Sequence, residues 1–182
     1  MPKSKSAYSS PSIKQKSDTY IFVVWVDNEA GVLARVVGLF SGRGYNIESL
    51  AVAEIDAIKN ISRITIVTTG TPQVIDQIRL QLTKLVPVHK VAEFKRDDKD
   101  VIFKEMALFK IVGKKNKIEK CLNACKKFNP VVLDKTKSSA VIQITALRRE
   151  IDKMSKKLKP LGLISTSRTG AVAMTRGAKI FN

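Results

Sequence analysis

The residues best placed to hold a small ligand lie between Asp27 and Ser49, in the stretch DNEAGVLARVVGLFSGRGYNIES. Gly31 precedes a run with helical spacing. The free N–H groups of Gly31, Val32 and Leu33 would therefore point out of a helix N-terminus, where a carboxylate binds well. Asn28 and Asn46 fall at the ends of expected strands, and their amide oxygens can accept hydrogen bonds from an ammonium group. The segment thus has the chemistry to hold a zwitterionic amino acid. The same asparagines also suit a helix cap at Asn28 and a turn at Asn46. Catalytic chemistry is poorly represented. The single histidine, His89, has no Ser or Cys nucleophile in a recognisable motif and reads as structural. Cys121 and Cys125 share a helix face, but with no nearby histidine or second cysteine pair they read as a core pair rather than a zinc site. The chain lacks a GxxxxGK[ST] phosphate loop and a dinucleotide-binding fingerprint. Thr169-Gly170 and Thr175-Arg176-Gly177 offer hydroxyls, glycine and arginine for an anion, or an edge-strand turn packed on a sheet.

The elements that must position these residues follow a repeated order. Tyr20 to Val26 (YIFVVWV) reads as a buried strand. Val32, Leu33, Val36, Val37, Leu39 and Phe40 form a helix face that Gly44 ends as a C′ residue. Ile47 to Glu54 is a second strand, with Ile47, Ser49 and Val52-Ala53 inward. Ile61 to Thr69 alternates as a half-buried strand. Thr71-Pro72 opens a helix carrying Val74, Ile75, Ile78, Leu82 and Leu85. Val86 to Phe94 is the fourth strand. Lys95 to Asp100 (KRDDKD) is a charged linker. The second half repeats the order: a strand from Ala107 to Val112, starting as early as Val101; a helix over Asn116 to Phe128; strands Val131 to Leu133 and Ala140 to Ala146; a helix over Leu147 to Leu158; and a last strand over Leu161 to Thr166. The fold class is α+β, two tandem ferredoxin-like βαββαβ units. They cover residues 20–95 and 101–182, after a disordered basic tail over residues 1–19.

The 182 residues include 44% hydrophobic and 27% charged side chains, enough apolar material for a core. The longest apolar run, Ile21 to Val26, is far short of a bilayer span, so no membrane helix is expected. Two cysteines and no secretory signal point to a reducing, cytoplasmic setting. The net charge of +17 is uneven: +3 up to Thr19, +2 from Tyr20 to Arg96, and +12 from Asp97 onward. Twenty-four of the 33 basic residues are lysines and aromatics make up only 6%, which fits a solvated surface better than a nucleic-acid interface.

The stretches DNEAGVLARVVGLFSGRGYNIESLAVA, NISRITIVTTG and QIRLQLTKLVPVHKV, with the ending SRTGAVAMTRG, resemble the small regulatory subunits of acetolactate synthase, also called acetohydroxyacid synthase. The resemblance runs from about Tyr20 to the C-terminus. It implies that the first unit is an ACT domain, an amino-acid-binding module that pairs with a second copy to form a homodimer. L-valine or a related branched-chain amino acid would bind at that dimer interface. The positions matching the effector motif are Asn28, Gly31 and Asn46, with Val32, Leu33 and Ile47 as neighbours. The resemblance further implies no catalytic centre and no cofactor in this chain. Its partner would be a large catalytic subunit carrying thiamine diphosphate, magnesium and FAD, which this chain activates and subjects to feedback inhibition by valine. The basic tail and the lysine-loaded second half depart from the usual pattern. If the catalytic subunit offers an acidic face, the +12 half is expected to dock there in a salt-sensitive way. The rival reading is a ligand-sensing regulator associated with nucleic acid, which would need a helix-turn-helix that the sequence does not offer.

Overall fold

The computed structural model describes residues 16–178, 180 and 181. The elements are β1 (Asp18–Asp27), α1 (Val32–Ser41), β2 (Ser49–Asp56), β3 (Ile61–Gly70), α2 (Pro72–Leu82), β4 (Val88–Lys95), β5 (Val101–Val112), α3 (Lys115–Cys125), β6 (Val131–Lys135), β7 (Ser139–Ala146), α4 (Arg148–Leu158) and β8 (Leu163–Thr175). They build two four-stranded antiparallel sheets, ordered β2-β3-β1-β4 and β6-β7-β5-β8. Each is the ferredoxin-like arrangement of a βαββαβ unit. The tail expected over residues 1–19 lies outside the described residues except at its end, where Asp18 and Thr19 already pair in β1 with Gly70 and Thr69.

β1 is apolar without interruption from Tyr20 to Val26 because both of its faces are covered there. Tyr20, Phe22, Val24 and Val26 pack under α1 and α2 with Val36, Phe40, Ile64, Ile66, Ile75, Ile78 and Leu82. Ile21 and Val23, with Trp25 beside them, face the other way, onto Val101, Ala171 and Ala173 of β5 and β8. The first half of β5 and the last third of β8 thus lie against the helix-free face of the first sheet. The second half of β5 joins β7 over a separate core, built from Phe109, Ile111, Ile142 and Ile144 under α3 and α4.

α1 closes as its sequence predicts. Gly44 adopts φ +69°, the Gly44 N–H donates to the Ser41 carbonyl at 3.2 Å, and the Tyr45 N–H donates to the Phe40 carbonyl at 2.9 Å. This is a Schellman turn, and the accompanying Phe40–Tyr45 ring contact at 6.3 Å completes it. α2 begins as expected at Thr71, whose hydroxyl accepts the Val74 N–H, with Pro72 in the first turn.

Three expectations need correction. β2 starts at Ser49 rather than Ile47, and Val52 and Ala53 are exposed, because an edge strand extends past the helices. β4 starts at Val88, since Leu85 to Pro87 form the turn out of α2. The last strand runs on to Thr175, nine residues beyond the expected end. The Thr169-Gly170 pair is therefore no edge-strand turn but part of a bulge, where the β5–β8 register shifts between Glu105 and Ala107.

Gly162, between the helical end of the second unit and β8, has φ +106°, and a Cβ there would sit 2.3 Å from the Val112 carbonyl oxygen. Backbone strain at a positive φ costs about 1–3 kcal/mol before any clash is counted. Gly162→Ala is therefore expected to lose about 2–4 kcal/mol. In urea unfolding this reads as a lower midpoint at unchanged slope.

Candidate functional site

Gly31 is the N-cap of α1, with φ +86° and no side-chain cap. Its left-handed backbone lets the chain leave β1 and turn straight into the helix. The Val32 N–H reaches the Glu29 carbonyl at 3.4 Å, while among the described residues the amides of Gly31 and Leu33 find no acceptor. These are the groups expected to receive a carboxylate. The Val32 side chain is buried in the core, and Leu33 is 42% exposed.

Asn28 does not cap α1. Its Nδ2 donates to Glu54 Oε1 at 3.2 Å, and its Oδ1 accepts from the Ser62 hydroxyl at 3.0 Å. A carboxylate can only accept, so Glu54 fixes the amide orientation and leaves one lone pair of Oδ1 facing outward. Glu54 and Ser62 are partners that sequence reasoning missed. They are distant in sequence, and only the pairing of Glu54 with Ser62 across β2 and β3 puts them beside Asn28.

Asn46 lies in the loop between α1 and β2. Its backbone carbonyl accepts from the Thr68 hydroxyl at 2.7 Å, and its side chain is exposed. Ile47, half-buried, packs on the core beneath α1. Asn46 and Asn28 are not neighbours within one chain. Asn28 is tied to Ser62 and Asn46 to Thr68, six residues along β3. At about 3.3 Å per residue these two anchor points on β3 lie roughly 20 Å apart. One amino acid cannot touch both inside a single chain.

The second half of the chain grips the Asn46 loop. Both terminal nitrogens of Arg148, at the start of α4, donate to the Glu48 carbonyl at 3.2 Å. The Ala171 N–H donates to the Ser49 hydroxyl at 3.3 Å. Gly170, at φ +81°, lets β8 approach so closely that a Cβ would lie 2.8 Å from the Ser49 hydroxyl oxygen.

The remaining candidates are structural in their surroundings. His89 Nε2 lies 2.6 Å from Asp27 Oδ1 at the surface, where it ties β4 to the end of β1. Cys121 and Cys125 are fully buried, and burial together with the neighbouring Cys121 pushes the Cys125 thiol up to about 11. Among the described residues no group of three or more His, Cys, Asp or Glu is placed to hold a metal ion. No helix among them is long and apolar enough to cross a membrane.

Comparison with known proteins assigns both halves. Residues 22–90 match the family model described as the small-subunit-like ACT domain of AHAS, and residues 104–177 match the one described as the small subunit of acetolactate synthase. The chain is 35% identical over 161 residues to the acetolactate synthase small subunit of Mycobacterium bovis, covering 88% of this chain and 94% of that one. It is 36% identical over 161 residues to the acetolactate synthase isozyme 3 small subunit of Salmonella typhimurium, covering 88% and 97%. The crystal structure of the acetolactate synthase small subunit from Thermotoga maritima superposes with a TM-score of 0.79 at 31% identity, covering 88% of this chain and 99% of that one. With an ACT-type first unit, a matching second unit and relatives aligned over nearly their whole length, the chain belongs to the family of acetolactate synthase small subunits.

Proposed function

We propose that the chain is the regulatory subunit that activates the catalytic subunit of acetolactate synthase and relays feedback inhibition by valine. The effector reading is supported by the separation of the Asn28 and Asn46 anchors along β3, roughly 20 Å at about 3.3 Å per residue, together with the place of β2 at the edge of its sheet. Two β2 edges paired antiparallel across a two-fold axis place the Ser49 end of one strand beside the Asp56 end of the other. Asn46 of one protomer then comes to Asn28 of its partner. The valine carboxylate meets the free amides of Gly31 and Leu33, and its ammonium meets the asparagine oxygens. Each dimer has two such sites, and each site needs both chains.

A ligand bridging two protomers acts through its different affinity for two arrangements of the pair. Valine favours the arrangement that holds the catalytic subunit less active. Reciprocity then requires catalytic-subunit binding to change the affinity for valine. Thiamine diphosphate, magnesium and FAD belong to the catalytic partner in this account, and the acetolactate chemistry occurs there.

The test is reconstitution. The catalytic subunit is assayed for acetolactate formation from pyruvate with rising amounts of this chain, with and without L-valine. The expected result is saturable activation that valine reverses in part. Unchanged activity at saturating chain overturns the subunit role. Activation without any response to valine overturns the effector role alone.

A further inference from the structure

A cavity of about 220 Å3 is complete within a single chain, where the two sheets meet. Its floor is apolar: Ile21, Val67 and Ala171 are buried, and Phe103 and Leu147 are half-buried. Its rim is of mixed charge. Arg96, Lys104, Arg148 and Arg149 stand with Glu48, Asp97 and Asp152. Among the described residues the side chains of Arg96 and Lys104 have no recorded partner. Among the described residues Asp97 is met only by Arg149, at 3.6 Å, beyond a good hydrogen bond, while Asp152 accepts from Arg168 at 2.6 Å through Oδ1.

We propose that this interdomain cavity binds a free amino acid with an apolar side chain. The α-carboxylate lies at Arg96 and Lys104, the ammonium at the carboxylates of Asp97 and Asp152, and the side chain against Phe103, Leu147 and Ala171. The mixed rim selects the ligand class. A polyanion such as a nucleotide gains from the four cations but is repelled by the three carboxylates of the same lining, while a simple cation meets the reverse. A zwitterion satisfies both sets. The apolar floor favours an aliphatic side chain over a polar one, which would lose its hydrogen bonds there.

This site goes beyond the valine reading, because it uses neither Asn28 nor Asn46 and needs no second chain. Its wall nonetheless includes Glu48 and Arg148, whose contact holds the loop that carries Asn46. An occupant therefore touches the grip between the two halves of the molecule.

The experiment is calorimetric titration of the full-length Asn28→Ala chain with L-valine and L-leucine, repeated in that background with Arg96→Ala and Lys104→Ala together. Both added substitutions are at exposed positions, and circular dichroism confirms that the fold is kept. The expected result is one saturable site per chain in Asn28→Ala, weakened at least about tenfold by the double change. Inorganic phosphate and ATP are expected not to compete. Absence of saturable binding in Asn28→Ala overturns the proposal. So does binding indifferent to Arg96 and Lys104, or displacement by phosphate. The two-chain reading is judged separately, by the difference between wild type and Asn28→Ala.

Discussion

Mixing Asn28→Ala chains with Asn46→Ala chains is expected to restore tight valine binding at the proposed two-chain site, although each variant alone is expected to lose it. The separation of the two residues within one chain leads to this result. If each site takes Asn28 from one protomer and Asn46 from the other, a homodimer of either variant has two sites that each lack one asparagine. Loss of a hydrogen bond to a charged group costs about 1.5–3 kcal/mol, or about 10- to 150-fold in affinity. In the mixed dimer the two defects fall in the same site. One site keeps neither asparagine and the other keeps both. Random reassortment makes half of the dimers mixed, so about a quarter of all sites recover full affinity. Equilibrium dialysis or calorimetry at a valine concentration that fills only tight sites reads this directly, with the interdomain cavity blocked by Arg96→Ala and Lys104→Ala in every chain. Recovery of binding also brings back part of the valine inhibition when the catalytic subunit is present. A mixture that binds no better than its parents places both asparagines in separate roles and removes the two-chain site.

Most of the fold was legible in the sequence because apolar periodicity and turn residues agreed. The Gly44 Schellman turn, the Thr71-Pro72 helix start and the order of elements all follow from local chemistry. The last strand was not legible past Thr166, for a physical reason. There the small residues Ala171 and Ala173 are the buried ones, while the larger Val172 and Met174 face outward at 47% and 53% exposure. Hydropathy ranks those positions the wrong way round, because a strand packed closely on another sheet has room only for small side chains. Gly170 adds a turn signal where the chain in fact makes a bulge. Of the candidate site, the residue types were legible and suggest a zwitterionic ligand, but spacing along the chain carries no information about which end of a sheet each asparagine reaches. That followed only from the strand register, which sets Ser62 and Thr68 six residues apart on β3. The Arg148–Glu48 contact lay further out of reach, since its partners are 100 residues apart in sequence.

The bulge in β8 also locates a change expected to cost much stability. Glu105 is 3% exposed, and Arg168 clamps it with two hydrogen bonds, Nε to Oε1 at 2.6 Å and Nη2 to Oε2 at 2.9 Å. The remaining terminal nitrogen of Arg168 reaches Asp152 on α4 at 2.6 Å. The two carboxylates raise the guanidinium further above its ordinary value, the hydrogen bond to Glu105 most of all, so Arg168 stays charged throughout. Arg168→Ala leaves a buried carboxylate with no counter-charge. Removing one partner of a buried pair costs about 3–5 kcal/mol, and since Arg168 is itself partly exposed the lower end, about 3 kcal/mol, is expected. Replacing both residues, Glu105→Met with Arg168→Met, removes the uncompensated charge and is expected to cost much less than Arg168→Ala alone. Urea unfolding of the wild type and the two variants separates these cases. An Arg168→Ala deficit matched by the double variant shows lost packing rather than an orphaned charge. The position matters beyond stability. Arg168 is followed directly by Thr169, Gly170 and Ala171, the segment that lies against Ser49 and Leu50. The clamp that satisfies Glu105 therefore also sets the height at which β8 meets the first sheet.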